Sequence, residues 1–452
     1  MIIATRSVAG AAVPNLRVPW TYTLPHRPFG PYPLTSWMEH SAPIIVIGAG
    51  MVGASCALHL QRTGCRVILI ERDTPGSGTT YGNACTIARF GCIPINQPQL
   101  LRHLPRLLLG RRQPLSVSWS YLPKMIPWLW QFLRHCQPHH SRAISQALAS
   151  LLRHAEDEAL ELFRAARAEH LLARQGFLSV YSSALSYQND QTNRQLRQQL
   201  LGNDLVELDQ GEIGELEPAL AGRFPHGYVY SQGFHLMEPQ QITQQMVEQF
   251  CRDGGTLICD NLHRIEHDSS DQLKVSGEQT SYTASQVVIA AGAWSGHFLG
   301  DTIESLPLDT ERGYHVLFPD DGQMISHVIG LPDAGFFLVP MAHGLRAAGT
   351  VELAGLNAPS NPERLHYIEG QARLALPTLG RSSDTWLGFR PTLPDSLPVI
   401  GRSRHLRNVI FAFGHHHLGL TLGAITGRLV SEIATGAPPS VDLTPFDGAR
   451  FR

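Results

Sequence analysis

Residues 44–71 read IIVIGAGMVGASCALHLQRTGCRVILIE, and this stretch decides the fold. Four apolar β-formers, Ile44, Ile45, Val46 and Ile47, run into Gly48-Ala49-Gly50-Met51-Val52-Gly53, and a helix-compatible segment follows. Gly64 stops that helix, and a second apolar strand over 67–70 ends on Glu71. Gly48 suits the tight turn out of the first strand, Gly50 a close approach of backbone to a pyrophosphate, and Gly53 a helix lying close on the strand. The free N–H groups and positive dipole end of that helix, at Met51 and Val52, then face phosphate. Glu71 stands 18 residues after Gly53, where a carboxylate accepts ribose hydroxyls. An acid there favours a free 2′-OH, so FAD or NAD over NADP.

Composition narrows the class. The 452 residues suffice for two or three hydrophobic cores. A net charge of −2 with no basic block argues against nucleic acid as a partner. Apolar runs reach about eight residues, whereas a bilayer span needs ~20, so no transmembrane helix is expected. Seven cysteines, odd in number and without a CxxC pair, fit reduced thiols better than a disulfide framework or a zinc site. The expected location is cytoplasmic, with a peripheral place on the inner face of the membrane as an alternative. Residues 1–38 differ from the rest, with six prolines, three arginines and no acid. They read as a disordered extension or a mis-assigned start upstream of Met38, a transit peptide being the other reading.

The loop after Glu71, ERDTPGSGTTYGNACTIARFGCIPI, is too long to be idle. It should return towards the first helix and cover the ligand's phosphates. Further on, LSVSWSYLPKMIPWLWQFLRH groups Trp119, Trp128, Trp130 and Phe132 with Lys124 and Arg134. These aromatics suit either the packed base of an inserted domain or a membrane-surface patch. Apolar residues at Ile144, Leu148, Leu151, Ala155, Ala159, Leu162 and Phe163 predict a long amphipathic helix over 144–174. A helix of that size interrupting a nucleotide fold points to an inserted second domain. Strands over 310–318 and 335–341 alternate as in an antiparallel sheet. A second strand–glycine turn ends in Ala290-Ala291-Gly292, and a third strand, 409–413, leads into Gly414-His415-His416-His417-Leu418-Gly419-Leu420-Thr421 and a small-residue helix. The nucleotide-binding part therefore begins and ends the chain.

Three motifs together resemble the FAD-dependent D-amino acid oxidase superfamily, and within it the small-subunit-type D-amino acid dehydrogenases: the 48–71 fingerprint, VVIAAGAWS, and GFRPTLPDSLPVIG with FGHHHLGLTLGAITGRL. LPKMIPWLWQFL and ELEPAL also resemble that dehydrogenase group. Cys85, where the family commonly has glycine, and the triple histidine depart from its pattern. The resemblance implies an α/β fold with an α+β second domain: a discontinuous Rossmann-like FAD-binding domain (43–100, 231–300 and 385–440) and an inserted antiparallel-sheet substrate domain (101–230 and 301–384), behind an extension over 1–42. It implies that Gly48, Gly50, Met51, Val52, Gly53, Glu71 and Arg72 hold the ADP half. Asn83 and Ala84 lie near the flavin, Leu262 contacts adenine, and Gly292 belongs to the second motif. Gly414, His415, Gly419, Leu420 and Thr421 meet the flavin pyrimidine edge.

Oxidation of an amino acid at Cα needs a fixed carboxylate, a neutral amine and a Cα–H aimed at flavin N5. Arginine suits the carboxylate by its planar fork, and Arg390 in GFRP is the family-matched candidate, with Tyr314 in ERGYH as a second cavity residue. No general base is assigned, and no metal: three consecutive histidines cannot converge on one ion. Expected partners are a small amino acid or amine and an electron acceptor such as a quinone. The expected reaction is oxidative deamination of a D-amino acid to a 2-oxo acid and ammonia. Oxidation of a cyclic or secondary amine (D-hydroxyproline, proline or sarcosine) to an imine, and a non-catalytic FAD-binding subunit, are the alternatives.

Overall fold

The computed structural model describes residues 42–100, 114–202, 205–268, 272–302 and 304–451. Apart from Ala42, the extension expected over 1–42 lies outside them. Two large sheets organise the chain. The first has six strands in the order Val399–Arg402, Val409–Phe413, Gln286–Ile289, Ile44–Ile47, Val67–Glu71, Thr256–Cys259. All neighbours in it run parallel except the outermost pair, Val399–Arg402 with Val409–Phe413. Ile44 and Val46 point into a helical layer, while Ile45 and Ile47 point into a layer formed with the small antiparallel sheet of Leu262–His267, Leu273–Gly277 and Ser281–Ala284. Burial on both faces is why these strands read as unbroken apolar runs rather than alternating ones. The architecture is α/β with a Rossmann-like sheet.

The helical layer holds Met51–Arg62, Gly419–Thr435, Pro239–Arg252 and Pro138–Ala165. The first two pack closely because the second is small-faced: a Cβ on Gly423 would sit 2.8 Å from Met51 Cγ, and one on Gly427 2.6 Å from the Ser55 carbonyl. The long helix corrects the sequence reading. It spans Pro138–Ala165 rather than 144–174, and its stripe from Ile144 to Phe163 is buried with Ala57 and Leu60, against the nucleotide-binding sheet's helices. Amphipathic spacing shows that a face is buried but not against what.

The second sheet has nine strands. Eight follow the order Asp384–Thr392, Asp309–Phe318, Gly344–Leu353, Phe336–Met341, Val328–Leu331, Phe177–Tyr181, His226–Tyr230, Leu205–Asp209, and Leu115–Val117 pairs with Gly344–Leu353. It is antiparallel except where Val328–Leu331 meets Phe177–Tyr181 and where Leu115–Val117 joins. The Asp384–Thr392 strand belongs to this sheet and not, as read from the sequence, to the nucleotide-binding part over 385–440. Nine successive pairings with Asp309–Phe318 hold it there. The Pro362–Ala375 helix covers one face, packing Ile368 and Ala372 on Tyr314, Val316 and Phe318.

The aromatic segment divides between its two readings. The helix Leu122–His135 buries Met125, Trp128 and Phe132 against Leu353. Trp119 and Trp130 instead remain 67% and 65% exposed, and Ile126 is exposed as well. Among the described residues no helix is long and apolar enough to cross a membrane.

Candidate active site

A cleft of about 620 Å³ runs from the Gly48 turn to the face of the nine-stranded sheet opposite the Pro362–Ala375 helix. Its first end is built by the 44–71 stretch. Gly48 has φ +98°, and a Cβ there would meet the Ala290 carbonyl oxygen at 2.7 Å. Gly53 lies so close to the turn that a Cβ would fall 1.8 Å from the Gly48 oxygen. Glu71 accepts the Ala49 N–H at 2.6 Å and the Asp73 N–H at 3.1 Å, which fixes its carboxylate at the cleft wall. The Arg72 guanidinium stacks on Trp294 at 4.0 Å.

The long loop returns as expected. Its Gly76 N–H bonds the Ala49 carbonyl, and Thr80 Oγ1 accepts the Met51 N–H at 3.1 Å. Thr79 donates to the Phe389 carbonyl at 2.9 Å, which ties the loop to the Arg390 strand.

Of the sixteen residues expected at the cofactor, thirteen line the cleft: Gly48, Gly50, Met51, Val52, Glu71, Arg72, Asn83, Ala84, Leu262, Gly292, His415, Gly419 and Leu420. Gly53, Gly414 and Thr421 instead support it from behind. Gly414, at φ +81°, packs under Leu393, and Thr421 Oγ1 accepts the Ala88 N–H at 3.0 Å.

These walls fit an adenine dinucleotide with a ring system at its far end. Two helices, Met51–Arg62 and Gly419–Thr435, open their N-termini on one cleft, and neither carries an acid in its first turn. Both positive dipole ends are thus left for anionic groups. Gly292, at φ +56°, has open space where a side chain would stand, so a ligand can approach its backbone.

At the sheet end, Arg390 lines the cleft. Nη1 donates to the Thr350 carbonyl at 2.8 Å, and the guanidinium lies over Gly313, where a Cβ would meet Nη2 at 2.2 Å. Glu311, directly across the ladder from Arg390, also lines the cleft although its side chain is only 5% exposed. Burial raises its carboxyl, Asp309 adds to that, and Arg390 and the Thr392 hydroxyl partly oppose it; the result is about 7. His416 Nε2 stands 3.4 Å from Glu311 Oε1 and contacts Thr392 Oγ1. Burial holds His416 down at about 3, so this imidazole is neutral across the working range. Sequence reasoning missed Glu311. The available signal was its position in the TERGYH strand, three residues from Tyr314 and therefore on the other face.

Tyr314 does not reach the cleft. It is 1% exposed, donates to Glu352 Oε2 at 2.5 Å, and accepts the Asn361 N–H at 3.1 Å. Arg312 joins the same carboxylate at 3.2 Å. Strand alternation explains the correction: Arg312 and Tyr314 face the Pro362–Ala375 helix side, while Glu311, Gly313 and His315 face the other. Tyr314→Phe is expected to lower stability by about 1–3 kcal/mol as Glu352 loses a buried donor, measured by denaturant unfolding. It should leave kcat/KM within about threefold of wild type, under ~0.7 kcal/mol in barrier height. A larger kinetic loss would return Tyr314 to the site.

The three histidines diverge. His415 Nε2 pairs with Thr426 Oγ1 at 2.9 Å, His416 faces Glu311, and His417 opens into the cleft. Among the described residues no cluster of His, Cys, Asp and Glu is arranged to hold a metal ion.

A Rossmann-like sheet, two helix N-termini and a cleft continuing onto a large mixed sheet define a flavin-dinucleotide oxidoreductase. The FAD dependent oxidoreductase (DAO) family matches residues 43–433, and the chain belongs to that family. FAD is its cofactor. The chain is 33% identical to a D-amino-acid oxidase of Bradyrhizobium diazoefficiens, over 92% of this chain and all of the relative. It is 29% identical to D-amino acid dehydrogenase 2 of Ralstonia nicotianae, over 90% of this chain and all of that protein. The fold is shared with glycine oxidase from Geobacillus kaustophilus (TM-score 0.67, 19% identity, 90% of this chain and 98% of that one). It is shared too with L-proline dehydrogenase from P. horikoshii (TM-score 0.69, 17% identity, 92% and 98%).

Proposed function

We propose that the protein oxidises a D-amino acid at Cα, yielding a 2-oxo acid and ammonia, and delivers the electrons to a quinone-type carrier. The observation that carries the amino-acid reading is Arg390, held by one hydrogen bond to Thr350 with its guanidinium on the cleft wall. A planar fork in that setting suits a carboxylate bidentately. The names of the two relatives support the D-amino acid class. In this reading the six-stranded sheet with its helices is the FAD-binding part, and the nine-stranded sheet supplies the substrate wall. The residues at Gly48, Gly50 and Glu71 hold the ADP moiety, and the Gly419–Thr435 N-terminus holds the flavin's pyrimidine edge. When bound, FAD supplies the two-electron acceptor. The chain's own residues fix the carboxylate and exclude water. Phe90, Phe177 and Phe337, which line the same cleft, offer an apolar wall to the substrate side chain.

The test is dye-coupled turnover across D-, L- and N-methyl amino acids, with oxygen and a soluble quinone compared as acceptors. D-amino acids turned over with release of ammonia are the expected result. Preference for proline or sarcosine would instead establish the secondary-amine reading, and FAD retention with no amine oxidised would leave a non-catalytic subunit.

Exposed Trp119, Ile126 and Trp130 at the Leu122–His135 helix suit a peripheral seat on a lipid surface, where a quinone would be met. Replacing Trp119 and Trp130 by serine is expected to abolish co-sedimentation with anionic vesicles without changing dye-coupled turnover. Wild-type protein that stays in the supernatant would reject this location.

A further inference from the structure

We propose that Glu311 is the catalytic residue that takes the proton from the substrate's ammonium group at the Arg390 site. This rests on the amino-acid reading above and adds a proton acceptor to it. Glu311 is a carboxylate on the cleft wall, opposite the guanidinium that would hold the substrate carboxylate. An amino acid bound to that guanidinium carries its ammonium one carbon away from the carboxylate. A second, acidic wall group beside the arginine is where a cation so placed finds its partner.

The charged neighbours allow the role. Arg390 faces Glu311 from the adjacent strand, and neutral His416 faces it from the turn after the Val409–Phe413 strand. Asp309, on Glu311's own strand, accepts the Tyr121 hydroxyl, and Asp395, near His416, is occupied by Arg450 at 2.5 Å. Arg312 and Glu352 pair with each other on the opposite face of the sheet. No lysine faces Glu311, and its one cationic neighbour is Arg390 among the groups described. His416 has a left-handed φ of +57°, a conformation uncommon for a non-glycine residue, and its Nε2 stands at this point.

The chemistry balances without a further reagent. One N–H bond of the ammonium breaks, and its proton passes to a Glu311 oxygen. The nitrogen keeps the electron pair, which becomes the new C=N π bond as hydrogen leaves Cα with the C–H pair. FAD, when bound, would supply the acceptor for that hydride, and the amino acid is left oxidised as an imine. Water then adds at that carbon and ammonia departs, leaving the 2-oxo acid. A carboxyl titrating near neutrality is matched to this task, because it is ionised enough to accept a proton at working pH and basic enough to hold it.

The test has two arms. In turnover, wild-type kcat/KM is expected to rise with pH through about 7, since the ionised carboxylate is the active form. Glu311→Gln should remove that limb and lower kcat/KM at neutral pH by ~10²- to 10⁴-fold, with FAD content unchanged. Glu311→Asp, which keeps a carboxylate, should retain a limb at a lower rate and serves if the amide folds poorly. In binding, propanoate is titrated into the holoenzyme and followed by the flavin spectrum, with no turnover involved. Ionised Glu311 opposes an anion on Arg390, so wild-type affinity should fall by up to about tenfold per pH unit above neutrality, and Glu311→Gln should flatten the profile. A preserved limb in Glu311→Gln would overturn the proposal. So would equal weakening of propanoate and substrate with the limb retained, because Glu311 would then only brace Arg390. If wild type oxidises no amino acid, the substrate reading fails in the first arm, while the second arm still decides whether Glu311 ionises at the anion site.

Discussion

Arg390→Ala is expected to lower kcat/KM for the best amino acid by about 30- to 3000-fold, because truncating one side of a desolvated charge pair costs ~2–5 kcal/mol. Two features of the site make this large. The guanidinium already holds one fixed hydrogen bond to Thr350, so its planar fork is oriented before substrate arrives. Its loss also removes the charge that opposes the burial of Glu311, so that carboxyl moves further up and is protonated at neutral pH. The pH optimum should therefore shift upward in the variant as well as the rate falling. Gly313→Ala is the companion experiment. Its Cβ would stand 2.2 Å from Arg390 Nη2, so the guanidinium must leave its seat with its charge intact. A loss approaching that of Arg390→Ala in this variant would tie the effect to placement. Arg390→Ala within threefold of wild type would dismiss it as the carboxylate anchor.

Gly53→Val is expected to yield protein without FAD, read as loss of the visible flavin absorbance after purification. Even an alanine Cβ would stand 1.8 Å from the Gly48 oxygen and 2.9 Å from its carbonyl carbon, and neither is a flexible side chain that can yield. The first helix must then move off the Ile44–Ile47 strand, carrying the Met51 N–H away from the phosphate site and from Thr80. Overpacking of this kind typically costs about 1–3 kcal/mol, and here it falls on the one turn that shapes the cofactor end. The comparison variant is Gly64→Ala, where no atom lies within 4 Å and only the φ of +86° is strained. Full flavin content in Gly53→Val would mean that the helix tolerates displacement.

Motifs that act through backbone were legible. Strand, glycine turn and helix are local, so the residues of 44–71 carry their own geometry, and the return of the 71–95 loop followed from its length and composition. Side-chain roles on the large sheet were less legible. A strand shows two faces to its neighbours, and which face meets the cleft depends on partners far away in sequence. Tyr314 and Glu311 lie on one strand, yet only Glu311 lines the cleft. The long helix was visible as an element from its apolar spacing, but its partner was not, since any apolar surface satisfies the same stripe.

By itself, the sequence determined the adenine-dinucleotide turn and the α/β class, which depend on spacing along the chain and on intrinsic chemistry. Its three motifs carried the resemblance to the FAD family, and that resemblance offered Arg390 as the candidate for the carboxylate. Only the tertiary structure decided that Asp384–Thr392 joins the nine-stranded sheet, that Tyr314 is buried behind it, and that Glu311 stands across from Arg390. The reason is that strand register and sheet facing are set by non-local pairing, and a one-residue change in phase exchanges the cleft wall for the core.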